Sequence, residues 1–510
     1  MAFTRQNIWE LGGDWADPIL WYARGVKAMK ARPLGDPASW RFFGAIHGFD
    51  QDLWSSVGVL NESDQPPSDS DMKTYWAQCQ HGSWYFLPWH RGYLLAFEAV
   101  VRDAVVKLGG PADWALPYWN YFKPNQNQLP PAFASADWPD GQGDNPLFVP
   151  QRFGPNNDGN VFIPTDQVDQ NALGDSRFIG GADGGAQGFG GVNTGFSHGG
   201  SVHGGIETQP HDMVHVLVGG SDPNSGLPGL MSDPDTAGLD PIFWLHHANI
   251  DRLWEVWDEM PTSTGEPTDP NWVNGPASIG ERAFILPEVG QNLTYTPGDM
   301  KNLAALGYNY DDVSRPAAAP QLVARLQRFG MAAAAAHSAV RSMAMAGPKS
   351  TELLGASGSL RVSGTEARAS VTLDAGVQRK VTASFQAAPT APKPAPDRIF
   401  LNLENVRGLN DATAFNVYIN VPEGDDPATH PELKAGSVAL FGVRKATMAD
   451  AQHAGNGLTY VIEITDVIDR LHLAGNLNAN QLHVRLVPRQ PVADEAQISI
   501  GRISVFRQSP

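Results

Sequence analysis

The sequence predicts a mainly α-helical domain, built as a bundle of four helices, followed by an all-β domain of the sandwich or jelly-roll type. Three observations support this. The chain has 510 residues, which is too many for one typical core. Apolar residues recur at helical spacing in the first part and at two-residue spacing in the last. Glycine (53) and proline (40) are frequent, which favours many turns.

Three segments of the first part carry helix signals. One helix is predicted to begin near Leu87, a second at Pro210, and a third at Pro241 with Asp240 as its N-cap. The first helix is predicted to end at Gly109–Gly110 and the second at Gly219–Gly220, because glycine commonly follows the end of a helix. We expect these helices to pack as a bundle with inward-facing side chains.

The composition and the apolar pattern of the chain change after residue 315. We expect a helical domain over residues 1–315, an Ala/Pro-rich linker with a helix over 316–350, and a β domain over 351–510. The helix is predicted to be interrupted at Gly330, and the segment 388–396 (APTAPKPAP) is predicted to be a stiff extended loop.

Apolar side chains then alternate along several short segments. The predicted strands are Ile399–Leu403, Phe415–Val421, Leu458–Ile464, Leu482–Leu486 and a last strand that runs through Gly501. The phase of the alternation changes across Gly501, which predicts a bulge there.

Composition excludes several classes of function. A formal charge of −18 argues against nucleic acid or an anionic membrane as partner and fits a small neutral or cationic substrate. The lone Cys79 excludes internal disulfides and a thiolate zinc site. No long apolar run and no signal-like start are visible, so we expect no membrane span and a cytoplasmic location.

Two clusters of histidine are the strongest functional signal. They comprise His47, His81 and His90, and then His211, His215, His246 and His247. Three imidazoles per ion, without thiolate or carboxylate ligands at matching positions, suit copper, so two sets predict a pair of copper ions. His211 and His215 stand at i and i+4, on one helix face. The alternative for each histidine is a hydrogen-bonded core residue, and a purely structural metal domain is also open.

Only one of the adjacent residues His246 and His247 can point toward a shared ion, because successive helical residues are about 100° apart. A phenylalanine four residues earlier recurs for His47, His90 and His247. We therefore choose His247 as the ligand and His246 as a supporting residue. Asp251, four residues after His247, is predicted to orient a ligand imidazole.

Long motifs carry a resemblance to a known family. HGSWYFLPWHRGYLLAFE (81–98), PHDMVH (210–215) and DPIFWLHHANIDRLWEVW (240–257) resemble the copper-A and copper-B signatures of the tyrosinase and polyphenol oxidase family. The resemblance implies that one copper is bound by His47, His81 and His90, and the other by His211, His215 and His247. Arg5, Tyr308 and Tyr310 resemble the residues that clamp the two ends of that catalytic domain.

The β-rich part is also similar to that family. FNVYINVPEG (415–424), AGSVALFGV (435–443) and ISIGRISVF (498–506) resemble the domain that follows the catalytic domain in plant polyphenol oxidases. There it covers the active site in a latent form, so the resemblance implies that residues 351–510 shield the site.

The segment Cys79-Gln80-His81 resembles the Cys-x-His arrangement of fungal tyrosinases and molluscan haemocyanins. It implies a thioether between the sulfur of Cys79 and the ring of His81. The alternative is a buried free thiol.

The family also suggests roles for residues around the metals. Glu207 matches a glutamate that holds a water, and Asp212 stands where many monophenol-active members have asparagine. Asp212 could accept a phenol proton or could simply interact with the helix dipole. Access to the site is assigned to Pro234, Val216 and Phe243; Val216 is apolar where some bacterial members carry arginine. A Gly-rich loop with His198 and His203 is expected at the entrance, both as loop polar residues.

The resemblance implies an enzyme that uses dioxygen as co-substrate, hydroxylates small monophenols at the ortho position and oxidises o-diphenols to o-quinones. A catechol oxidase or an o-aminophenol oxidase is the alternative within the family, and a haemocyanin-like oxygen carrier is the alternative outside it. The sequence leaves open which phenol is physiological, and whether the chain forms a homo-oligomer.

Overall fold

The structure, a computed structural model, describes most of the chain. The described residues are 2–141, 143–316, 321–328, 330–348, 350–374, 376, 397–449, 455–474 and 480–509. The predicted extended loop 388–396 lies outside them. Within the described residues, no helix combines the length and the apolar character that a bilayer crossing requires.

Most of the described α-helices lie in the first domain; Gln321–Arg328 and Ala333–Ala346 lie between the domains, and Val443–Thr447 and Thr465–Leu473 lie within the second. The described α-helices are Asp17–Lys30, Trp40–His47, Gln51–Ser56, Asp69–Tyr75, Phe86–Lys107, Pro131–Ala134, Met213–Gly219, Pro234–Ala237, Pro241–Asp258, Pro270–Asn274, Leu303–Leu306, Gln321–Arg328, Ala333–Ala346, Val443–Thr447 and Thr465–Leu473. Short 3₁₀ turns lie at Ile8–Glu10, Asn171–Gly174, Leu230–Ser232, Pro276–Ile279, Pro297–Met300, Pro427–Thr429, Pro431–Leu433 and Asp494–Ala496, and Glu207–Asp212 leads into the helix Met213–Gly219.

Local signals explain where the central helices begin. The Asp240 carboxylate accepts a hydrogen bond of 2.9 Å from the backbone N–H of Ile242, and Pro241 is the first helical residue, as predicted. Aromatic packing then joins the helices. The rings of Phe97 and Trp244 stack with centroids 3.5 Å apart, which fixes the Phe86–Lys107 helix against the Pro241–Asp258 helix.

The second domain is one antiparallel sheet with its own core. Its nine described strands are β7 (Ser350–Ala356), β8 (Leu360–Arg361), β9 (Ala367–Leu373), β10 (Arg398–Arg407), β11 (Ala414–Ile419), β12 (Lys434–Ala439), β13 (Leu458–Glu463), β14 (Gln481–Pro488) and β15 (Ser499–Ser509). The order is β12-β11-β14-β9-β7-β15-β10-β13, with β8 beside β15. The end strands β12 and β13 contact one another, so the sheet nearly closes. The predicted helical domain followed by an all-β domain is confirmed.

The six remaining described strands lie in the helical domain. They are β1 (Phe3–Arg5), β2 (Ile179–Gly180), β3 (Gly191–Val192), β4 (Phe284–Glu288), β5 (Gln291–Tyr295) and β6 (Tyr308–Tyr310). β1 pairs with β6 in parallel, which brings the first residues of the domain beside its last ones.

The predicted bulge at Gly501 is wrong. β15 keeps one register with β10 on both sides of it, with Ile500 opposite Val406 and Arg502 opposite Glu404. The irregularity lies in the partner strand, where Asn405 has a φ of +53°. A Cβ on residue 501 would come within 2.9 Å of the Asn405 Cβ, so glycine leaves room for the irregular partner.

A buried charge network holds the two ends of the helical domain. Arg5 donates to Glu98 at 2.6 Å and to Asp251 at 3.2 Å, and the hydroxyls of Tyr308 and Tyr310 each donate to Asp251 at 2.6 Å. The prediction that Asp251 orients a ligand imidazole is therefore wrong. Its carboxylate is occupied by the terminal clamp that the sequence motif had suggested separately, and by Arg91.

We predict that Asp251→Ala destabilises the protein by about 3–5 kcal/mol, because it takes a carboxylate from two buried arginines and leaves each with a single anionic partner, Glu98 for Arg5 and Glu255 for Arg91. Denaturant unfolding followed by tryptophan fluorescence measures the change. Asp103→Ala is the matched control, since Asp103 pairs with the exposed Lys107 on one helix and its loss costs about 0.5 kcal/mol or less. Equal midpoints for the two variants would contradict the role given to the clamp.

Candidate metal centre

Four helical segments and one loop bring the histidines together. His47 ends the helix Trp40–His47, and His90 lies near the start of the helix Phe86–Lys107. The remaining ones come from the loop before that helix (His81), from the segment Glu207–Asp212 and the helix Met213–Gly219 that continues it (His211 and His215), and from the helix Pro241–Asp258 (His246 and His247). All seven are buried.

Their nitrogen atoms form close groups. Within each of three groups, one ligand atom per residue lies within 4.8 Å of the others. The groups are His47 with Cys79 and His81, His47 with His90 and His247, and His211 with His215, His246 and His247. The structure thus brings together all six histidines predicted as ligands, and it keeps His246 beside them.

Hydrogen bonds turn the imidazoles so that one nitrogen faces inward. The Nδ1 atoms of three rings donate to main-chain carbonyls: His47 to Pro234 at 2.7 Å, His90 to Phe86 at 2.8 Å and His215 to Met231 at 2.8 Å. A ring whose Nδ1 carries the proton has its lone pair on Nε2. These carbonyls therefore set both the tautomer and the direction of the free lone pair.

In the described part of the protein, most of the inward nitrogen atoms have no hydrogen-bond partner. The buried Nε2 atoms of His47, His81, His90 and His211 lack a hydrogen-bond partner there, and the Nε2 atoms of His215 and His247 lie 3.3 Å apart. Buried polar atoms are normally satisfied, so a cluster of unsatisfied lone pairs indicates a missing cationic partner. All-imidazole donor sets fit copper, and the residues present fit two ions.

Burial keeps these rings neutral. It lowers the pKa of His47 to about 4 and the pKa of His246 to about 3. It lowers the pKa values of the others, namely His81, His90, His211, His215 and His247, well below the usual range. Neutral imidazole is the form that binds a metal, so the site is ready for coordination at neutral pH.

A polar network extends from His211. Its Nδ1 donates to the Asp212 carboxylate at 2.8 Å, and the other oxygen of Asp212 accepts from Nδ1 of His203 at 2.7 Å. Burial alone would lower the pKa of His203, but the charges of Glu207 and Asp212 outweigh it and raise that pKa to about 9. Asp212 therefore connects two imidazoles instead of only facing the helix dipole.

Glu207 is held by two backbone groups. Its carboxylate accepts from the N–H of Gly82 at 2.9 Å and from that of Gly204 at 3.3 Å, and it lies 3.8 Å from Nδ1 of His203. Burial raises the pKa of Glu207 to about 8. His203, which the sequence suggested only as a polar loop residue, is thus part of one proton-sharing group with both carboxylates.

Cys79 lies against two imidazoles. Its sulfur is 3.4 Å from Nδ1 of His81 and 3.2 Å from Nδ1 of His198. It is fully buried, and burial raises the pKa of its thiol well above the usual range. The position next to His81 agrees with the sequence motif, and His198 is a second neighbour that the motif did not indicate.

The predicted access residues lie in different places. The carbonyl of Pro234 contacts the imidazole cluster through its hydrogen bond from His47, and Val216 is a buried residue that follows His215 in the helix Met213–Gly219. Phe243 is fully buried and packs on Trp244 as well as on the ring of His247, with centroids 4.1 Å apart in the second case. The prediction that Phe243 controls access is wrong, because it is a core side chain that supports the rings.

The resemblance predicts that the β domain shields the site, but it did not indicate Phe441, the residue of that domain that contacts the imidazoles. Phe441 stacks on the ring of His215, with centroids 4.2 Å apart and an angle of 18° between the planes. It also lies edge-on to His81 and His211 at 5.7 and 5.6 Å. A signal was available in Phe-Gly-Val-Arg-Lys (441–445), where an aromatic residue and a glycine stand after the end of a strand, with one residue between.

The fold and the histidine site define a helical metalloprotein with a dinuclear centre. Known proteins carry the same pattern. A profile described as the common central domain of tyrosinase matches residues 37–260, and one described as a domain of unknown function (DUF7868) matches residues 350–508. Tyrosinase HcTyr1 of Hahella sp. (strain CCB-MM4) is 32% identical over 99% of both chains. The chain belongs to the tyrosinase and polyphenol oxidase family of copper oxidoreductases, which implies a dicopper centre.

More distant relatives agree over both domains. Polyphenol oxidase A1 of Vicia faba is 26% identical over 95% of this chain and 74% of its own length. Among solved structures, a latent apple tyrosinase superposes with a TM-score of 0.55 at 20% identity, over 99% of this chain and 97% of that one. A latent aurone synthase gives a TM-score of 0.56 over 100% of this chain and 90% of that one, also at 20% identity. These structures share the fold.

We predict that His47→Ala and His211→Ala each reduce bound copper from about two ions to about one per chain, because the sequence motifs imply that each of these residues is one of three imidazoles on a different ion. Elemental analysis after dialysis measures the content. His337→Ala, on the helix Ala333–Ala346 outside the site, is the control and retains both ions. Full copper content in both site variants would refute the assignment of the two sets.

Proposed function

We propose that this protein is a tyrosinase: a copper enzyme that uses dioxygen to hydroxylate small monophenols at the ortho position and to oxidise o-diphenols to o-quinones. The observation that carries the proposal is the convergence of six buried imidazoles with inward-facing nitrogen atoms. The copper pair, when bound, supplies electron transfer between the phenol and dioxygen. Two relatives named for this chemistry, a tyrosinase and a polyphenol oxidase, match both domains.

The ligands of each ion are part of this proposal. His47, His81 and His90 would hold one copper, and His211, His215 and His247 the other, with His246 beside the second set. The hydrogen bonds from Nδ1 to main-chain carbonyls hold the rings of His47, His90 and His215 in place. Fixed rings lower the reorganisation needed during turnover.

Proton transfer would fall to Glu207, Asp212 and His203. A monophenol has an ordinary pKa near 10, so its hydroxylation needs a group that accepts the phenolic proton. The two carboxylates and His203 form a connected set beside His211 that can hold and pass on one proton.

The same network supports a catechol or o-aminophenol oxidase as the second candidate. Both oxygens of Asp212 already accept hydrogen bonds, one from His211 and one from His203. If neither hydrogen bond breaks when substrate binds, Asp212 cannot accept the phenolic proton of a monophenol. The enzyme would then oxidise only diphenols or aminophenols.

We predict that the activated, copper-loaded enzyme hydroxylates p-cresol to 4-methylcatechol without added diphenol, because the carboxylate network accepts the phenolic proton. Oxygen uptake and product chromatography measure the reaction. Oxidation of 4-methylcatechol without attack on p-cresol would establish the catechol oxidase instead. Oxygen binding with no turnover of either substrate would leave a carrier.

The proposal includes a latent state in which the β domain shields the metal centre. Phe441 occupies the face of His215 on which a phenol ring would stack. The entrance loop is also bound by the β domain, since the N–H of Thr459 on β13 donates to the carbonyl of Ser201 at 2.6 Å. The contacts of the β domain with the face of His215 and with the entrance loop support exclusion of substrate.

We predict that Phe441→Ala in the full-length chain raises the rate of 4-methylcatechol oxidation at least about tenfold, because a buried stacked ring no longer competes with substrate. The control is Phe506→Ala, which removes a ring of the same domain on β15. Copper content is measured in parallel. A variant with full copper and unchanged rate would refute shielding by Phe441.

The thioether is proposed as well. The sulfur of Cys79 and the ring of His81 are in contact, and bond formation would release the thiol hydrogen and one ring C–H hydrogen to an oxidant, here dioxygen. The bond would restrict movement of the ligand ring during changes of copper oxidation state.

We predict that the tryptic peptide 74–91 of copper-loaded protein is two hydrogens lighter than its sequence mass and resists thiol alkylation. Mass spectrometry of protein produced with and without copper is the measurement. A peptide of full mass that alkylates after denaturation, from fully active enzyme, would contradict the bond.

A further inference from the structure

A patch of carboxylates from the helical domain borders the histidine site. Asp233 and Asp235 flank Pro234, whose carbonyl holds His47, and Asp50 lies three residues beyond that same histidine. Asp233 and Asp235 are 1% and 3% exposed. We call these three residues the acidic rim.

The β domain fills the acidic rim with two cations. Arg444 lies 3.0 Å from both Asp50 and Asp233 and 3.4 Å from Asp235. Lys445 forms a direct ion pair with Asp235, and its ammonium group donates to Nε2 of His198 at 3.0 Å. Both cations stand on the helix Val443–Thr447, directly after Phe441.

Asp235 depends on these cations more than its neighbour does. One oxygen of Asp233 accepts from the backbone N–H of Asp235 at 2.8 Å, which caps the helix Pro234–Ala237. In the described residues, the partners recorded for the side chain of Asp235 are Lys445 and Arg444. A buried carboxylate without a cation is costly. When the β domain moves away, Asp235 therefore needs water or another cation.

The covering segment combines an aromatic ring with an ammonium group. The ring of Phe441 lies on His215, where a phenol would stack, and the ammonium of Lys445 lies on Asp235 at the rim of the same cluster. Val216, the residue after His215, offers no positive charge to an acidic substrate. The site is thus complementary to an aromatic ring with a cationic substituent.

We propose that the opened enzyme prefers phenols that carry an aliphatic amine, with the ammonium group on Asp235 in the place of Lys445 and the phenol ring in the place of Phe441. This inference rests on the proposed phenol oxidase function. It assigns Asp235 a role in substrate specificity, and it assigns the acidic rim a second role beyond holding the β domain.

The test uses the full-length copper-loaded double variant F441A/K445A, in which both places are vacated. Three phenols with different para substituents are compared: p-cresol, tyramine and 3-(4-hydroxyphenyl)propionate. We expect kcat/KM for tyramine to exceed that for the propionate at least about tenfold, because a charge-assisted bond forms with one and repulsion acts on the other. If the enzyme oxidises only diphenols, dopamine, 4-methylcatechol and 3-(3,4-dihydroxyphenyl)propionate replace them.

Asp235→Asn on this background should reduce the ratio of kcat/KM for tyramine to that for p-cresol at least about fivefold. Asp175→Asn is the matched control, because Asp175 also pairs across the domains, with Arg398 at 3.4 Å, and should leave the ratio unchanged. Calorimetry with unreactive 2-phenylethylamine and 3-phenylpropionate gives a readout independent of turnover, in which only the amine should bind and only while Asp235 is present.

The outcomes separate the two proposals. Turnover of p-cresol or 4-methylcatechol with equal preference for amine and carboxylate would overturn the amine specificity and leave the phenol oxidase intact. No turnover of any phenol or diphenol by copper-loaded variant would overturn the proposed function. An amine preference that survives Asp235→Asn would overturn the role of Asp235.

Discussion

The structure depends on hydrogen bonds that are made on the outer side of the imidazole cluster. Main-chain carbonyls of Pro234, Phe86 and Met231 each take the Nδ1 proton of one histidine and so direct its Nε2 lone pair inward. The backbone positions of these carbonyls are fixed by the helices and turns around them. Rigid secondary structure therefore determines the donor directions before any metal binds.

Much of the fold and of the centre could be predicted from the sequence. His211 and His215 could be predicted as a pair because helical spacing places residues i and i+4 on one face. The start of the helix Pro241–Asp258 could be predicted because proline follows the N-cap residue Asp240. The β domain followed from two-residue alternation. These signals are local, so they depend little on how distant segments meet.

What failed or was missed involves distant segments. Asp251 lies on the helix face of His247, but Arg5, Arg91 and two tyrosines from far along the chain occupy it. The apolar residues do change phase at Gly501, yet the irregular backbone lies opposite it, at Asn405 on the neighbouring strand. Phe441 and Lys445 reach the histidine site only through domain packing, and helical or strand periodicity carries no information on that packing.

The parallel pairing of Phe3–Arg5 with Tyr308–Tyr310 has a consequence for proteolysis. Because both termini of the helical domain are fastened to each other and to Asp251 inside it, a cut further along the chain does not release either terminus. After a cut beyond residue 315, the helical domain that holds the imidazoles would keep the contacts that close it. Cleavage between the domains would therefore leave the helical domain closed, while the ion pairs of Arg444 and Lys445 would still hold the β domain against it.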